Sequence, residues 1–117
     1  MQTNPVNSEY INADDALARI GGNTTLYKRL LGRFLDGNHY ELIENAAKSG
    51  DSDETARQVH TLKGVSANLS LEKIHAITIE IEQLIKDGSE LSSCLDELKQ
   101  AFDATTQEIA KYNEQVS

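Results

Sequence analysis

Apolar residues recur every three or four positions along most of the chain, which is the spacing of one face of an α-helix. The first such segment begins at Asn12 and is stopped by a pair of glycines. A longer helix should begin at Asn23 or Thr24, bend at Gly37 and end at Gly50. Its expected buried stripe is Leu26, Tyr27, Leu30, Leu31, Phe34, Leu35, Leu42 and Ala46.

Three further helices are predicted after this segment. Asp51 and Glu54 have the spacing of a capping box, so a helix should begin there and run through His60. Ser70 is expected to end that helix and to cap the next one, which should end at Gly88. The last helix follows at once. The three stripes are Ala56, Val59, Leu62, Ser66 and Leu69, then Ile74, Ile77, Ile81, Leu84 and Ile85, then Leu91, Leu95, Leu98, Phe102, Ile109 and Tyr112.

Long amphipathic helices with short connections bury their stripes most simply against antiparallel neighbours. The pattern therefore predicts an all-α fold: an antiparallel up-down four-helix bundle with a short extra N-terminal helix. This single domain should span residues 12–117, after a flexible lead-in of residues 1–11. We expect a monomer. A helical hairpin that dimerises would bury similar stripes and is the alternative.

Composition and charge exclude several classes of protein. The chain has 117 residues and a formal net charge of −8, which argues against binding to nucleic acid, since that needs a basic face. The single cysteine, Cys94, excludes an internal disulfide and suits a reducing compartment. Neither a secretory leader nor a membrane-spanning apolar run is evident, so we expect a cytoplasmic protein with no membrane partner.

The segment around His60 combines a histidine, a cation and an unfavourable glycine. His60 should lie at the edge of its helix's buried stripe, with the small residues Ala56, Gly64 and Ala67 on the same side. Gly64 weakens a helix by about 1 kcal/mol relative to alanine. One explanation is that it lets a partner protein approach the imidazole. Lys63 could then reach a negatively charged group on the ring.

Structural explanations of the same residues remain open at this point. Gly32 and Gly37 also interrupt predicted helix, so Gly64 could simply reflect close helix packing. A histidine beside an apolar stripe is often an ordinary packing or surface residue. We assign those roles to His39, on the second helix's stripe, and to His75, on an outward position. No spacing motif supports a metal site.

The motif "HTLKG" at residues 60–64, with Asn68 beyond it, resembles the signature of histidine-containing phosphotransfer (HPt) domains of bacterial phosphorelays. The resemblance extends over about residues 11–113, through "ALARIGGNTTLYKRLLGRFL" and "SGDSDETARQVHTLKG". It implies a four-helix bundle with the histidine on a bundle helix. Family members commonly have glycine where this chain has Ser70, and Asn68 is usually a structural residue near that turn.

The resemblance implies that His60 accepts a phosphoryl group from a receiver-domain aspartate and passes it to another receiver. Lys63 would then stabilise the phosphoryl oxygens, and Gly64 would provide clearance for docking. The chain has no Gly-rich nucleotide loop and no clustered carboxylates for magnesium, so the partner receiver should supply the metal. We therefore expect no cofactor and no kinase activity of its own. The expected partners are response-regulator receiver domains, with a hybrid sensor kinase as a further candidate.

The docking surface should consist of small and apolar residues around His60, including Ala56 and Ala67. Glu82 and Lys86 on the following helix are expected to face the same side. Two alternatives remain: a structural adaptor bundle that is never phosphorylated, and the phosphoacceptor domain of a chemotaxis-type kinase. The sequence leaves open the donor and acceptor receivers, the direction of flow, the input signal, and whether the domain stands alone or belongs to a hybrid kinase.

Overall fold

The computed structural model describes residues 7–115, and the helices in that range carry the fold without any strand. The six helices are α1 (Ala13–Arg19), α2 (Thr24–Asp36), α3 (His39–Lys48), α4 (Ser52–Leu69), α5 (Glu72–Lys86) and α6 (Ser92–Gln115). The all-helical prediction is confirmed. None of the helices in the described range is both long enough and apolar enough to span a bilayer.

The helices pack around one apolar core in an elongated molecule of 49 × 21 × 20 Å. α4 packs against α3 and α5, and α6 packs against the same two helices. The largest fully buried side chains come from every helix but α1: Tyr27, Leu31, Ile43, Leu62, Ile74, Ile81, Leu98, Ile109 and Tyr112, together with Ile11 and Leu71 outside the helices. One side of α4 is left open to solvent.

Three predicted helix starts are confirmed by their capping bonds. The side chains of Asn12, Asn23 and Asp51 each accept a hydrogen bond from a backbone N–H three residues further on. The reciprocal half of the capping box at Asp51 does not form. Instead, the Glu54 carboxylate accepts hydrogen bonds from the side chains of Arg57 and Gln58.

The expected bend at Gly37 is a complete break between two helices. α2 ends at Asp36 and Asn38 adopts a left-handed conformation with φ 53°, which no continuous α-helix accommodates. The His39 ring stacks on Phe34 with centroids 5.5 Å apart. A Cβ at Gly37 would lie 2.7 Å from Nε2 of His39, so the glycine makes room for this ring. His39 was predicted to pack on the stripe of the second helix. Its half-buried ring does pack, but against Phe34 of α2 from the first position of α3.

This break changes which side chains of the predicted second helix are buried. Tyr40 and Ile43 face the core, although neither was on the expected stripe. Leu35 and Leu42 are 39% and 44% exposed, so the prediction that they are buried was wrong. For Leu42 the physical reason is that α3 starts with a new helical phase after Asn38. Leu35 lies before the break, on α2, where it is turned by about 100° from the buried Phe34.

The predicted lead-in is only partly described. Residues 1–6 lie outside the described range. Within the remainder, Ile11 is fully buried in the core, and the side chains of Asn7 and Asp14 are joined by a hydrogen bond of 2.8 Å. Packing therefore begins before the first helix, while the division of the chain between residues 11 and 12 stays a prediction.

Ser70 ends α4 as expected, but it does not cap α5. It adopts a left-handed conformation with φ 56°, and the N-cap position of α5 is Leu71, which makes no side-chain capping bond. The Ser70 hydroxyl instead donates to Asp15 at 2.7 Å and accepts from Arg19 at 2.6 Å. The bond from Ser70, and after it the bond from Arg19, lowers the pKa of the Asp15 carboxyl. The serine thus ties α1 to the end of α4.

The last carbonyl groups of α4 are also satisfied from other helices. Arg19 donates to the carbonyls of Ala67 at 3.0 Å and Asn68 at 2.9 Å, and the buried Tyr27 hydroxyl donates to Leu69 at 2.7 Å. Carbonyls at a helix C-terminus have no partner within the helix, so these bonds replace the missing ones. We call Asp15, Arg19, Tyr27 and Ser70 the α4 clasp, because together they fix that end of the helix.

Candidate functional site

His60 lies in the middle of α4, and 77% of its side chain is exposed. Its neighbours Val59 and Leu62 are fully buried in the core. Successive residues of a helix are turned by about 100°, so position 60 comes out at the border of the buried stripe. The ring is therefore open to solvent on a helix that the core holds from beneath.

The surface beside the imidazole is built from small residues. Gly64 and Ala67 are exposed and Ala56 is half-buried, all on the side of α4 that carries His60. A Cβ placed on Gly64 would have no heavy atom within 4 Å outside the adjoining helix backbone. Close helix packing therefore does not explain Gly64, because a methyl group has room there.

Glu82 of α5 connects His60 and Lys63 through its two carboxylate oxygens. The Lys63 Nζ donates to Oε1 at 2.8 Å, and Oε2 lies 3.7 Å from Nδ1 of His60. The second distance is too long for a hydrogen bond, and this contact is an ion pair only when the imidazole is protonated. The hydrogen bond from Lys63 is the main cause that lowers the pKa of the Glu82 carboxyl. A negative charge thus lies between the ring and the ammonium.

Lys86 is less closely connected to His60 and Lys63 than Glu82 is. It follows Glu82 by one turn of α5 and is exposed, with no hydrogen bond or ion pair to any residue in the range 7–115. The structure therefore brings together His60, Lys63, Gly64 and Glu82, and leaves Lys86 at their edge. The roles of all these residues stay predictions.

Ile79 was not singled out from the sequence, yet it lies on the side of α5 that carries Glu82. It is 50% exposed and precedes Glu82 by three residues, which puts the two side chains on neighbouring positions of one helix face. Ile79 is the one isoleucine of α5 outside the inward stripe. That departure from the stripe is the signal that could have identified it.

His60 is not enclosed by a cavity. A cavity of 530 Å³ lies at the N-terminal end of α4, between the ends of α3, α4, α5 and α6. Its lining includes Glu44, Lys48, Ser52 and Ser92. Small-molecule sites are usually concave and enclose most of the ligand. An open ring with small neighbours suits a partner protein that brings its own pocket to the imidazole.

The chemistry of this arrangement is that of an accessible nucleophile with a cation nearby. An unprotonated imidazole nitrogen can form a covalent intermediate. The Lys63 ammonium can stabilise negative charge on a group attached to the ring, through a charge-assisted hydrogen bond. Its current partner is Glu82, so the ammonium would have to be shared or released.

Comparison with known protein families gave a match over most of the chain. The model of the family described as Hpt domain matches residues 30–111, which is more than half of the chain and includes the whole segment from His60 to Glu82. Neither the curated proteins nor the solved structures gave a match to this chain.

Proposed function

Since this chain belongs to the Hpt domain family, whose members carry phosphoryl groups on histidine in phosphorelays, we propose that His60 accepts one from a receiver-domain aspartate and passes it to a second receiver. The observation that supports this most is the imidazole itself, 77% exposed in the middle of a helix whose opposite side is buried in the core. The open flank at Gly64 and the ammonium of Lys63 are consistent with the same role.

The proposed transfer conserves atoms and electrons in two displacements. The lone pair of an unprotonated ring nitrogen of His60 forms a bond to phosphorus, while the bond from phosphorus to the donor aspartate breaks and leaves its electron pair on that carboxylate. The second step reverses this chemistry, with an acceptor carboxylate attacking phosphorus and the ring nitrogen leaving. Such transfers need chiefly alignment and charge stabilisation. Lys63 would supply part of that charge.

The remaining machinery is assigned to the partner. Hpt domains are phosphotransfer carriers and not kinases. We propose that the receiver provides the magnesium ion and the acidic pocket, and that this chain acts as a co-substrate with no cofactor and no activity toward ATP. Its sequence offers no Gly-rich nucleotide loop for such an activity.

Docking is proposed to use a surface that we call the His60 face. It consists of Ala56, His60, Gly64 and Ala67 on α4, with Ile79, Glu82 and Lys86 on α5. With a net charge of −8, this chain gains little from long-range attraction to an acidic receiver pocket. Small and apolar contacts, including the exposed Ile79, are better suited to hold the partner.

We also propose that the helices form an up-down four-helix bundle, with α2 and α3 as one broken member and α1 as the extra helix. Two residues join α4 to α5 and five join α5 to α6, and each pair is in contact, which favours antiparallel neighbours. We expect this bundle to act as a cytoplasmic monomer. Sedimentation equilibrium would detect a dimer.

Transfer assays with isolated receivers test the function. Receivers labelled on aspartate with radioactive phosphate should transfer the label to the wild-type chain, and the product should be acid-labile. His60→Gln should accept none, whereas the matched His75→Gln variant should accept label normally.

Other outcomes discriminate the alternatives. If no receiver labels the wild type, the relay is refuted and the adaptor is favoured. If His60→Gln is labelled as well as the wild type, His60 is not the phosphoacceptor and the proposal is refuted. Labelling by a kinase core with ATP, but by no receiver, would favour the chemotaxis-type phosphoacceptor.

A further inference from the structure

Glu82 makes the only ion pair of Lys63 within the described residues 7–115. The side chains are 33% exposed for Lys63 and 25% exposed for Glu82, so water screens this pair only in part. The pKa of the Glu82 carboxyl is lowered, chiefly by the bond from Lys63, so the carboxylate is charged at neutral pH. Before phosphorylation, the ammonium of Lys63 is therefore already neutralised.

A phosphoryl group on His60 would change the demands on this cation. Phosphoryl oxygens carry close to two negative charges near neutral pH and are strong acceptors. They would draw on the same ammonium that Glu82 now holds. Because Glu82 Oε2 is 3.7 Å from Nδ1 of His60, the freed carboxylate would also lie within a few ångströms of the new negative charge. Both effects raise the free energy of the phosphorylated state.

We propose that Glu82 competes with the phosphoryl group on His60 for the ammonium of Lys63, and thereby keeps that group loosely enough held to be passed on. This inference rests on the proposed function. Glu82 is a positioning residue in this scheme, since it acts through Lys63 and by its charge, and forms no bond to phosphorus. Lys63 pairs with Glu82 in the bare protein and with the phosphoryl group after transfer.

The equilibrium of exchange between a phosphorylated receiver and this chain measures the effect. Glu82→Gln keeps the size of the side chain and removes its charge. We expect it to shift the equilibrium toward phosphorylated His60 by about three- to tenfold, the range of a partly screened charge pair. Lys63→Gln should shift it in the opposite direction by a similar factor. Glu108→Gln, which breaks an ion pair with Lys111 on α6, is the matched control and should leave the equilibrium unchanged.

The double variant separates competition for Lys63 from other effects of Glu82. The Glu82→Gln effect should be smaller in a Lys63→Gln background, because no ammonium is left to release. An effect of equal size in both backgrounds would overturn the proposal, and so would an unchanged equilibrium in Glu82→Gln alone.

A spectroscopic measurement supplies a readout that a purely structural role would not move. His60 is phosphorylated with phosphoramidate, a small donor, and the phosphorus resonance is titrated against pH. Removing the Glu82 charge should lower the pKa of the phosphoryl group, and removing Lys63 should raise it. An unchanged titration in Glu82→Gln would contradict the inference. If no receiver labels the wild type, the proposed function fails, while the phosphoramidate experiment still decides the inference.

Discussion

Gly64 offers the sharpest separation of function from folding, because its replacement should have opposite effects on the two. A side chain at this position removes the entropic penalty of glycine inside a helix, and its Cβ would meet no heavy atom within 4 Å outside the adjoining helix backbone. Gly64→Ala should therefore raise the free energy of unfolding by about 1 kcal/mol, and Gly64→Gln by slightly less. Urea unfolding followed by circular dichroism measures both values.

The same substitutions should slow phosphoryl transfer. A glutamine one turn from the imidazole would stand in the path of a docking receiver, and displacement of the reacting groups by about 1 Å can cost about 100-fold in rate. We expect a loss of that order for Gly64→Gln and a smaller loss for Gly64→Ala. The rate of label transfer from a phosphorylated receiver to His60 is the measurement.

Gly32 provides the matched control, since it also lies inside a helix, on α2, with no heavy atom within 4 Å of an added Cβ. Gly32→Gln should stabilise the fold to a similar extent and leave the transfer rate unchanged. The docking role of Gly64 is refuted if Gly64→Gln transfers as fast as the wild type, or if both glycine variants lose rate equally.

Three further predictions concern stability. Ser70→Ala should be less stable than the wild type because it loses the hydroxyl bonds of the α4 clasp. The free energy of unfolding of Ser70→Gly should exceed that of Ser70→Ala by about 1 kcal/mol, since glycine adopts φ 56° without strain. Urea unfolding that ranks alanine above glycine would contradict this. Burial lowers the pKa of His39, so the unfolded chain binds a proton more readily than the folded one. The free energy of unfolding should therefore fall as pH drops below about 6.5. His39→Gln should flatten that decline in unfolding curves measured against pH. Tyr27→Phe removes a buried 2.7 Å hydrogen bond and should lower the free energy of unfolding by about 1 kcal/mol or more. Tyr112→Phe removes a hydroxyl with no partner among the described residues and should leave stability unchanged. Equal shifts of the melting temperature in the two variants would disprove the distinction.

The starts of α1, α2 and α4 were predictable because their chemistry is local. Asn12, Asn23 and Asp51 each bond a backbone N–H three residues away, so a short window of sequence contains the whole signal. The break after Gly37 was not predictable in the same way. It depends on the left-handed Asn38 and on His39 stacking against Phe34, and an unbroken stripe gives no sign of the change in helical phase.

Contacts between distant helices set the second limit. The bonds that Ser70 accepts from Arg19 and donates to Asp15 join residues 51 and 55 positions apart, and nothing near Ser70 indicates them. Around His60, by contrast, the helical spacing alone identified the small neighbours of the ring. The pairing of Lys63 with Glu82, 19 positions away, required the register of α5 against α4.

The division of labour between the α4 clasp and the charged pair follows from the proposed role of His60. In that role, two different receivers would have to reach the same imidazole, so the ring would keep one position while the charge beside it changes. The clasp bonds fix the backbone of α4, whereas Lys63 and Glu82 are partly exposed side chains that can exchange partners. Arg19→Ala should therefore lower the urea midpoint and leave the exchange equilibrium with a receiver unchanged, because free and phosphorylated His60 use the clasp equally. A shift of that equilibrium in the folded Arg19→Ala variant would show that the clasp and the phosphoryl group are coupled, and the separation argued here would be wrong.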